Sequence, residues 1–204
     1  MIAIVDYGSG NVAAIADILK RLRLPHTVTR DHGELRVAER YILPGVGAFD
    51  ATMRTLRGSG LVDLLNDEVH GKGKRILGIC VGMQILGDAS DEGDLPGLGW
   101  IPGHIGRIEA AAIPERPKLP HMGWNAVRLK APSSLFAGVD LNRGFYFLHS
   151  YHFNAADPTS VITTVQYGCD IACGVTRGAV SGLQFHPEKS HGNGLAVFRN
   201  FAAL

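Results

Sequence analysis

The sequence predicts an α/β fold with a mostly parallel central sheet, helices on both faces and a partly antiparallel second half. In the first half, short continuous apolar runs alternate with longer segments whose apolar residues recur at helical spacing, as in a covered parallel sheet. In the second half, short strand-like runs lie close together between Gly, Pro, Asn and Asp turns. Because no linker, repeat or low-complexity segment divides the chain, we expect residues 1–204 to form one domain.

The individual elements follow from these patterns. In the first half we expect a strand at 2–5, a helix at 12–22 that ends before Pro25, a strand at 41–43 that ends at Pro44, a helix at 61–69 and a strand at 76–79. In the second half we expect strands at 127–129, 145–147, 161–165, 171–175 and 180–185, and a terminal helix at 194–204.

Charge and cysteine usage exclude several classes of function. The chain has 20 Lys and Arg against 19 Asp and Glu, so no basic surface favours nucleic acid. Its longest apolar runs are shorter than a membrane span, and we expect no membrane partner. Three cysteines without framework spacing argue against disulfides and for a reducing compartment. With a strand-like start in place of a signal peptide, the sequence predicts a cytoplasmic protein.

One cysteine lies where a predicted strand gives way to a helix. Cys80 stands between Gly78 and Gly82 in the pattern Gly-x-nucleophile-x-Gly, which is typical of a nucleophile elbow. The glycines let strand and helix approach closely, and the helix N-terminus favours a thiolate and leaves N–H groups, that of Val81 among them, for an oxyanion. The pattern alone leaves a second interpretation open, in which Cys80 is a buried, inert side chain.

A histidine and a carboxylate follow the last predicted strand. Pro187 favours an extended backbone at His186, and residues two apart in an extended chain project to the same side. We therefore expect the Glu188 carboxylate to orient the His186 imidazole. Together with Cys80 these side chains would form a cysteine-based catalytic triad, and without it they would be a surface turn.

Five segments carry a resemblance to a known family. The segments are LPGVGAF (43–49), GICVGMQ (78–84), PHMGWN (120–125), FYFLHSY (145–151) and GLQFHPEKS (182–190). They resemble the class I glutamine amidotransferases, which have a flavodoxin-like fold and a Cys-His-Glu triad. Within that family they look like the glutaminase subunits of imidazole glycerol phosphate synthase, over essentially the whole chain.

The resemblance implies hydrolysis of the side-chain amide of glutamine. Cys80 would attack the amide carbon, and His186, oriented by Glu188, would protonate the departing ammonia and later act as a base. The oxyanion would be held by backbone N–H groups at Val81 and Gly47. Residues implied to hold or line the glutamine site are Gln84, Glu92, Gly45, His149, Ser150 and Tyr151. No metal and no organic cofactor are implied.

The resemblance also implies a partner. Ammonia would pass through a channel to a cyclase subunit, which would be a separate (β/α)₈ barrel bound as a heterodimer, and we expect segment 44–47 to turn over when that partner binds its acceptor. The residues implied at the interface are Asn11, Trp124, Tyr146 and Lys189. Two alternatives stay open: a glutaminase subunit of another amidotransferase, such as pyridoxal phosphate synthase, and a non-catalytic redox or binding module of the same fold.

Overall fold

The computed structural model describes residues 1–114 and 118–204. The strands in these residues are β1 (Ile2–Val5), β2 (His26–Thr29), β3 (Arg40–Gly45), β4 (Arg75–Cys80), β5 (Ala89–Ser90), β6 (Gly103–Arg107), β7 (His121–Asn125), β8 (Val127–Leu129), β9 (Phe145–His149), β10 (Tyr151–Ala155), β11 (Val161–Tyr167), β12 (Cys169–Arg177) and β13 (Val180–Leu183). The α-helices are α1 (Val12–Arg21), α2 (His32–Val37), α3 (Phe49–Gly58), α4 (Leu61–Asn66), α5 (Val81–Gln84) and α6 (His191–Ala203). A π-helical segment, Asp67–Gly71, continues α4.

The main sheet has a parallel and an antiparallel half. Its parallel half runs in the order β2-β1-β3-β4-β13, an order typical of flavodoxin-like folds. From β13 the sheet continues through antiparallel pairs to β12, β10 and β6, and β11 and β8 branch from β12. The mixed α/β fold with a partly antiparallel second half is therefore confirmed.

A second sheet consists of β7 and β9, paired antiparallel. Its register places His121 opposite His149 and Trp124 opposite Tyr146. Side chains on a strand alternate between faces, so this small sheet carries the histidines on one face and Trp124 and Tyr146 on the other.

The predicted elements and their boundaries differ from the structure at several places. The strand expected to end before Pro44 continues through Gly45, because a proline at the end of a strand forfeits only its own N–H donor. The terminal helix begins at His191, three residues earlier than expected. The edge strand β2 was not predicted, since its sequence, HTVT, contains no continuous apolar run.

The centre of the parallel half positions the chemistry. β4 lies between β3 and β13, and all three strands run in the same direction. Their carboxyl ends therefore meet at one edge of the sheet, with Gly45 of β3 in register with Cys80 of β4. None of the helices in the described residues is both long enough and apolar enough to cross a membrane.

Candidate active site

The Cys80 backbone forms a strained turn between β4 and α5. Its φ of 57° and ψ of −113° lie in a region that residues with a side chain rarely adopt, and the residue is only 5% exposed. The predicted sharp turn is thus present. The helix that follows is a single turn, so the stabilisation expected from a helix dipole is smaller than the sequence suggested, because the dipole grows with the number of aligned peptides.

Two glycines make this turn possible. A Cβ atom on Gly82 would overlap the carbonyl oxygen of Leu43, and one on Gly45 would overlap the backbone nitrogen of Gly82. β3 and α5 therefore touch backbone to backbone directly behind Cys80. Gly45 serves this close approach and does not line the cavity in front of the cysteine.

His186 and Glu188 lie side by side, as the sequence predicted. The His186 Nδ1 atom is 2.8 Å from Oε1 of Glu188, and both side chains are buried. His186 has the expected extended backbone, but Pro187–Lys189 then forms a 3₁₀ turn that brings the carboxylate back to the ring. A carboxylate only accepts hydrogen bonds at neutral pH, so Nδ1 carries the hydrogen and Nε2 is left for a second partner.

That second partner is Cys80. Burial lowers the pKa of His186, but hydrogen bonds to Cys80 and Glu188, together with the charges of these groups, outweigh burial and raise the pKa to about 9. This shift favours the protonated form of the ring, which bonds Glu188 on one side and lines the same cleft as Cys80. A protonated imidazole beside a cysteine can donate a proton to a leaving group.

A cleft of about 260 Å³ opens in front of Cys80. Its volume suits a small molecule rather than a macromolecule. Nine of the residues predicted for catalysis, the oxyanion or substrate binding line it, together with Lys189 from the implied interface: Gly47, Cys80, Val81, Gln84, Glu92, His149, Ser150, Tyr151 and His186. Within the described residues, no group of three or more His, Cys, Asp or Glu side chains is arranged to hold a metal ion.

Residues 3–203 match the family Glutamine amidotransferase class-I. The chain belongs to the class I glutamine amidotransferases. The curated protein named imidazole glycerol phosphate synthase subunit HisH from Bdellovibrio bacteriovorus is 46% identical to this chain over the full length of both. The protein of the same name from Leptospira borgpetersenii is 45% identical, also over the full length of both. Within the family, the chain is thus similar to the HisH subunits.

Solved structures show how widely this amidotransferase fold is shared. A GMP synthase protein from Thermoplasma acidophilum superimposes with a TM-score of 0.73 at 20% identity, covering 99% of this chain and 92% of that one. PurLQS from Thermotoga maritima gives a TM-score of 0.71 at 19% identity, covering 99% and 97%. At these identities the likeness is one of fold alone.

Gln84 and Glu92, the two polar side chains expected to hold substrate in this amidotransferase, differ from each other in their hydrogen-bond partners. Gln84 is buried one helical turn from Cys80, and its Nε2 donates to the carbonyl oxygen of Tyr151 at 3.2 Å and to Oε1 of Gln184 at 3.1 Å. Glu92 lines the cleft, and its Oε2 accepts a hydrogen bond of 2.8 Å from the backbone N–H of Phe49 at the start of α3. This hydrogen bond holds the loop that contains Glu92 against the start of α3.

The segment expected to supply an oxyanion donor is held by a serine. Val46 donates its N–H to Oγ of Ser9 at 3.2 Å, and the same hydroxyl donates to the Val46 carbonyl oxygen at 3.2 Å. The Val46 N–H is therefore occupied outside the cleft. Gly47, which follows, has a φ of 93°, a backbone conformation that glycine adopts readily, and nothing lies within 4 Å of the position a Cβ would take.

The four residues implied at a partner interface lie together around the triad. Asn11 donates from Nδ2 to Oε1 of Glu188 at 3.5 Å, and the Lys189 ammonium lies 5.6 Å from the centre of the Tyr146 ring. Trp124, opposite Tyr146 in the small sheet, stacks on His191 and is 40% exposed.

Sequence reasoning missed Gln184 and His121. Gln184 is fully buried beside Cys80, and His121 is fully buried against His149. A signal for Gln184 was present, because it is a polar residue inside an otherwise apolar strand end and stands two residues before His186, which places both on one side of the chain. No local pattern distinguishes His121, whose partner is 28 residues away.

Proposed function

We propose that this chain hydrolyses glutamine to glutamate and ammonia and supplies the ammonia to a cyclase subunit. That cyclase would use it to form imidazole glycerol phosphate and aminoimidazole carboxamide ribotide, in histidine biosynthesis. The observation that carries the proposal is the arrangement of three side chains: His186 bonds Glu188 through Nδ1 at 2.8 Å and lines the same cleft as Cys80.

The chemistry follows from the positions of the three side chains. The Cys80 sulfur attacks the amide carbon, and the carbonyl oxygen of glutamine becomes an oxyanion facing the Val81 N–H, which has no acceptor within its own helix because Val81 opens it. The C–N bond then breaks, and His186 donates its Nε2 proton to the departing nitrogen, which leaves as ammonia. A thioester with Cys80 remains.

Hydrolysis of the thioester reverses the proton transfer. The neutral His186 removes a proton from water, whose oxygen attacks the thioester carbon. The C–S bond breaks, glutamate leaves, and the imidazolium beside Cys80 is restored. Glu188 keeps the ring in the orientation that serves both steps.

Gln84 can offer the substrate only one kind of group. Both hydrogens of its amide nitrogen are directed at Tyr151 and Gln184, so its Oε1 remains as a hydrogen-bond acceptor. An acceptor suits the N–H groups of glutamine, either the ammonium or the amide. Gln84 would therefore recognise the nitrogen side of the substrate.

An apolar surface beside the cleft supports the proposal that a cyclase binds there. Met122 is 60% exposed, and Trp124, Leu148 and Val46 are also exposed. Val46 and Leu148 line the cleft, and Met122 lies opposite Leu148 in the small sheet. Exposed apolar surface of this kind favours a protein partner, and a cyclase bound here would cover the cleft and prevent the loss of ammonia to solvent.

The test is glutamate release from glutamine by the chain alone, with the cyclase, and with the cyclase plus its ribonucleotide substrate. We expect little release alone and a large increase in the complete mixture, abolished by Cys80→Ala. An equal rate in all three mixtures would support the glutaminase activity but contradict its control by the partner. No release in any mixture would overturn the proposal.

A further inference from the structure

One backbone carbonyl fixes a chain of hydrogen bonds that ends at the nucleophile. The carbonyl oxygen of Tyr151 lies 2.8 Å from Nδ1 of His149 and 3.2 Å from Nε2 of Gln84. A carbonyl oxygen has two lone pairs and no hydrogen, so both side chains must donate to it. The orientation of each is thereby determined by chemistry.

On one side of the Tyr151 carbonyl, two glutamines in turn have their amide orientation fixed, and the second of them contacts the Cys80 sulfur. Since Gln84 presents its NH₂ group, the atom of Gln184 that it meets at 3.1 Å must be the acceptor, Oε1. The NH₂ group of Gln184 then faces Cys80, with Nε2 3.9 Å from Sγ. A reversed Gln184 amide would bring two NH₂ groups together and turn an oxygen towards the sulfur.

On the other side of the Tyr151 carbonyl, the hydrogen bonds fix which ring nitrogen donates and which accepts in two histidines. Because His149 donates from Nδ1, its Nε2 accepts from Nδ1 of His121 at 2.9 Å, and Nε2 of His121 accepts from the Asn125 amide at 2.6 Å. Burial lowers the pKa of His149 to about 3 and that of His121 to about 4, so both rings stay neutral in this one tautomer. The His121 ring is also stacked between Phe147 and Tyr167.

We propose that Gln184 is a positioning residue for Cys80, oriented through Gln84 by the Tyr151 carbonyl, and that the His121–His149 pair keeps that carbonyl in place. An N–H group aimed at sulfur interacts more strongly with a thiolate than with a thiol. Gln184 therefore holds the sulfur in its attacking position. The kinetic consequence rests on the glutaminase function proposed above, whereas the effect on the sulfur does not.

The primary test compares alkylation of Cys80 in wild type and Gln184→Met. The full chain is treated with iodoacetamide at pH 7, and modification of the Cys80 peptide is followed by mass spectrometry, which separates it from exposed Cys169 and buried Cys173. We expect alkylation about tenfold slower in the variant, because the variant lacks one hydrogen bond to a charged group. With the cyclase and its substrate present, kcat for glutamate release should fall by a similar factor at unchanged KM.

The matched control is Thr163→Val, which removes a different buried hydrogen bond, that from Cys173, in the same sheet. It should alkylate and turn over like wild type even where it lowers thermal stability. Should Gln184→Met not fold, the isosteric Gln184→Glu removes the same NH₂ group, and the same slowing is expected. Wild-type alkylation and kcat in a folded Gln184 variant would overturn the proposal.

The histidine pair provides an independent comparison. His121→Phe keeps the stacked ring and removes the Nδ1 donor, so Cys80 alkylation should slow about threefold. His121→Asn places an amide N–H near the position of Nδ1 and should restore most of the rate. Equal rates in the two variants would remove His121 from the proposal. If wild type releases no glutamate in any mixture, the proposed function fails while the alkylation comparison still decides the role of Gln184.

Discussion

The Nδ1 atom of His186 lies 2.8 Å from Oε1 of Glu188, and the other oxygen of this buried carboxylate has no hydrogen-bond partner among the described residues. Within the part of the chain that the structure describes, the carboxylate has one other side-chain donor, Nδ2 of Asn11, which lies 3.5 Å from the same Oε1. Its charge is held beside the ring with little competition from other donors.

Glu188→Gln should reduce kcat for glutamate release on the order of 10⁴-fold, as the amide replacement of a triad carboxylate does. The amide removes the charge that stabilises the imidazolium and allows the ring to present the wrong tautomer to Cys80. The measurement is steady-state kinetics with the cyclase and its substrate. Glu109→Gln, the same change at an exposed position, should keep wild-type kinetics. Retention of full activity in Glu188→Gln would remove the carboxylate from the mechanism.

The free energy of unfolding should depend on pH through His186. Its pKa is raised from 6.5 to about 9 in the folded chain, so the protonated ring stabilises the fold fully below pH 6.5. This contribution, roughly 3 kcal/mol at most, is lost as the pH rises towards 9. Urea denaturation across this range measures it. In His186→Gln the decline should be smaller by the same amount, and an identical pH dependence in both proteins would contradict the raised pKa.

Gly82→Ala should destabilise the chain by about 3 kcal/mol, because its Cβ would meet the Leu43 carbonyl oxygen and neither backbone can withdraw. Gly58→Ala is the matched control. Gly58 ends helix α3 with open space around its Cα, and alanine there should stabilise by about 0.5 kcal/mol. Denaturation midpoints of the two variants should therefore move in opposite directions. A shift in the same direction would show that β3 and α5 can separate.

Ser9→Ala should raise glutamate release by the chain without its partner. The serine hydroxyl bonds both the N–H and the carbonyl oxygen of Val46, and without it the segment that leads to Gly47 is freer to turn an N–H towards the cleft. An increase of about tenfold in the unstimulated rate corresponds to the loss of one such restraint. An unchanged basal rate, with normal stimulation by the cyclase, would show that Ser9 does not restrain the segment.

The parts of the fold that were predicted are those encoded locally. β1, β3, β4 and the helix after β1 follow from apolar periodicity over a few residues. The Cys80 turn and the pairing of His186 with Glu188 follow from spacings of two residues. Each of these signals lies within a single element and its flanking turns.

The unpredicted parts depend on contacts between distant segments. Gln84 and Gln184 are 100 residues apart, Ser9 and Val46 are 37 apart, and His121 meets His149 only because β7 and β9 leave the main sheet and pair with each other. No local pattern specifies such pairings. The roles of these polar groups become visible only when the donors and acceptors of the folded chain are counted.

The backbone at Cys80 places this protein's stability and its chemistry in opposition. A φ of 57° with a ψ of −113° is a conformation that glycine adopts far more easily than cysteine, and a third glycine in Gly78-Ile79-Cys80-Val81-Gly82 would relax it. Such a chain would be relieved of this strain and would have no thiol at the end of β4. Under the function proposed above, the strain at this position is therefore the energetic cost of presenting the proposed nucleophile.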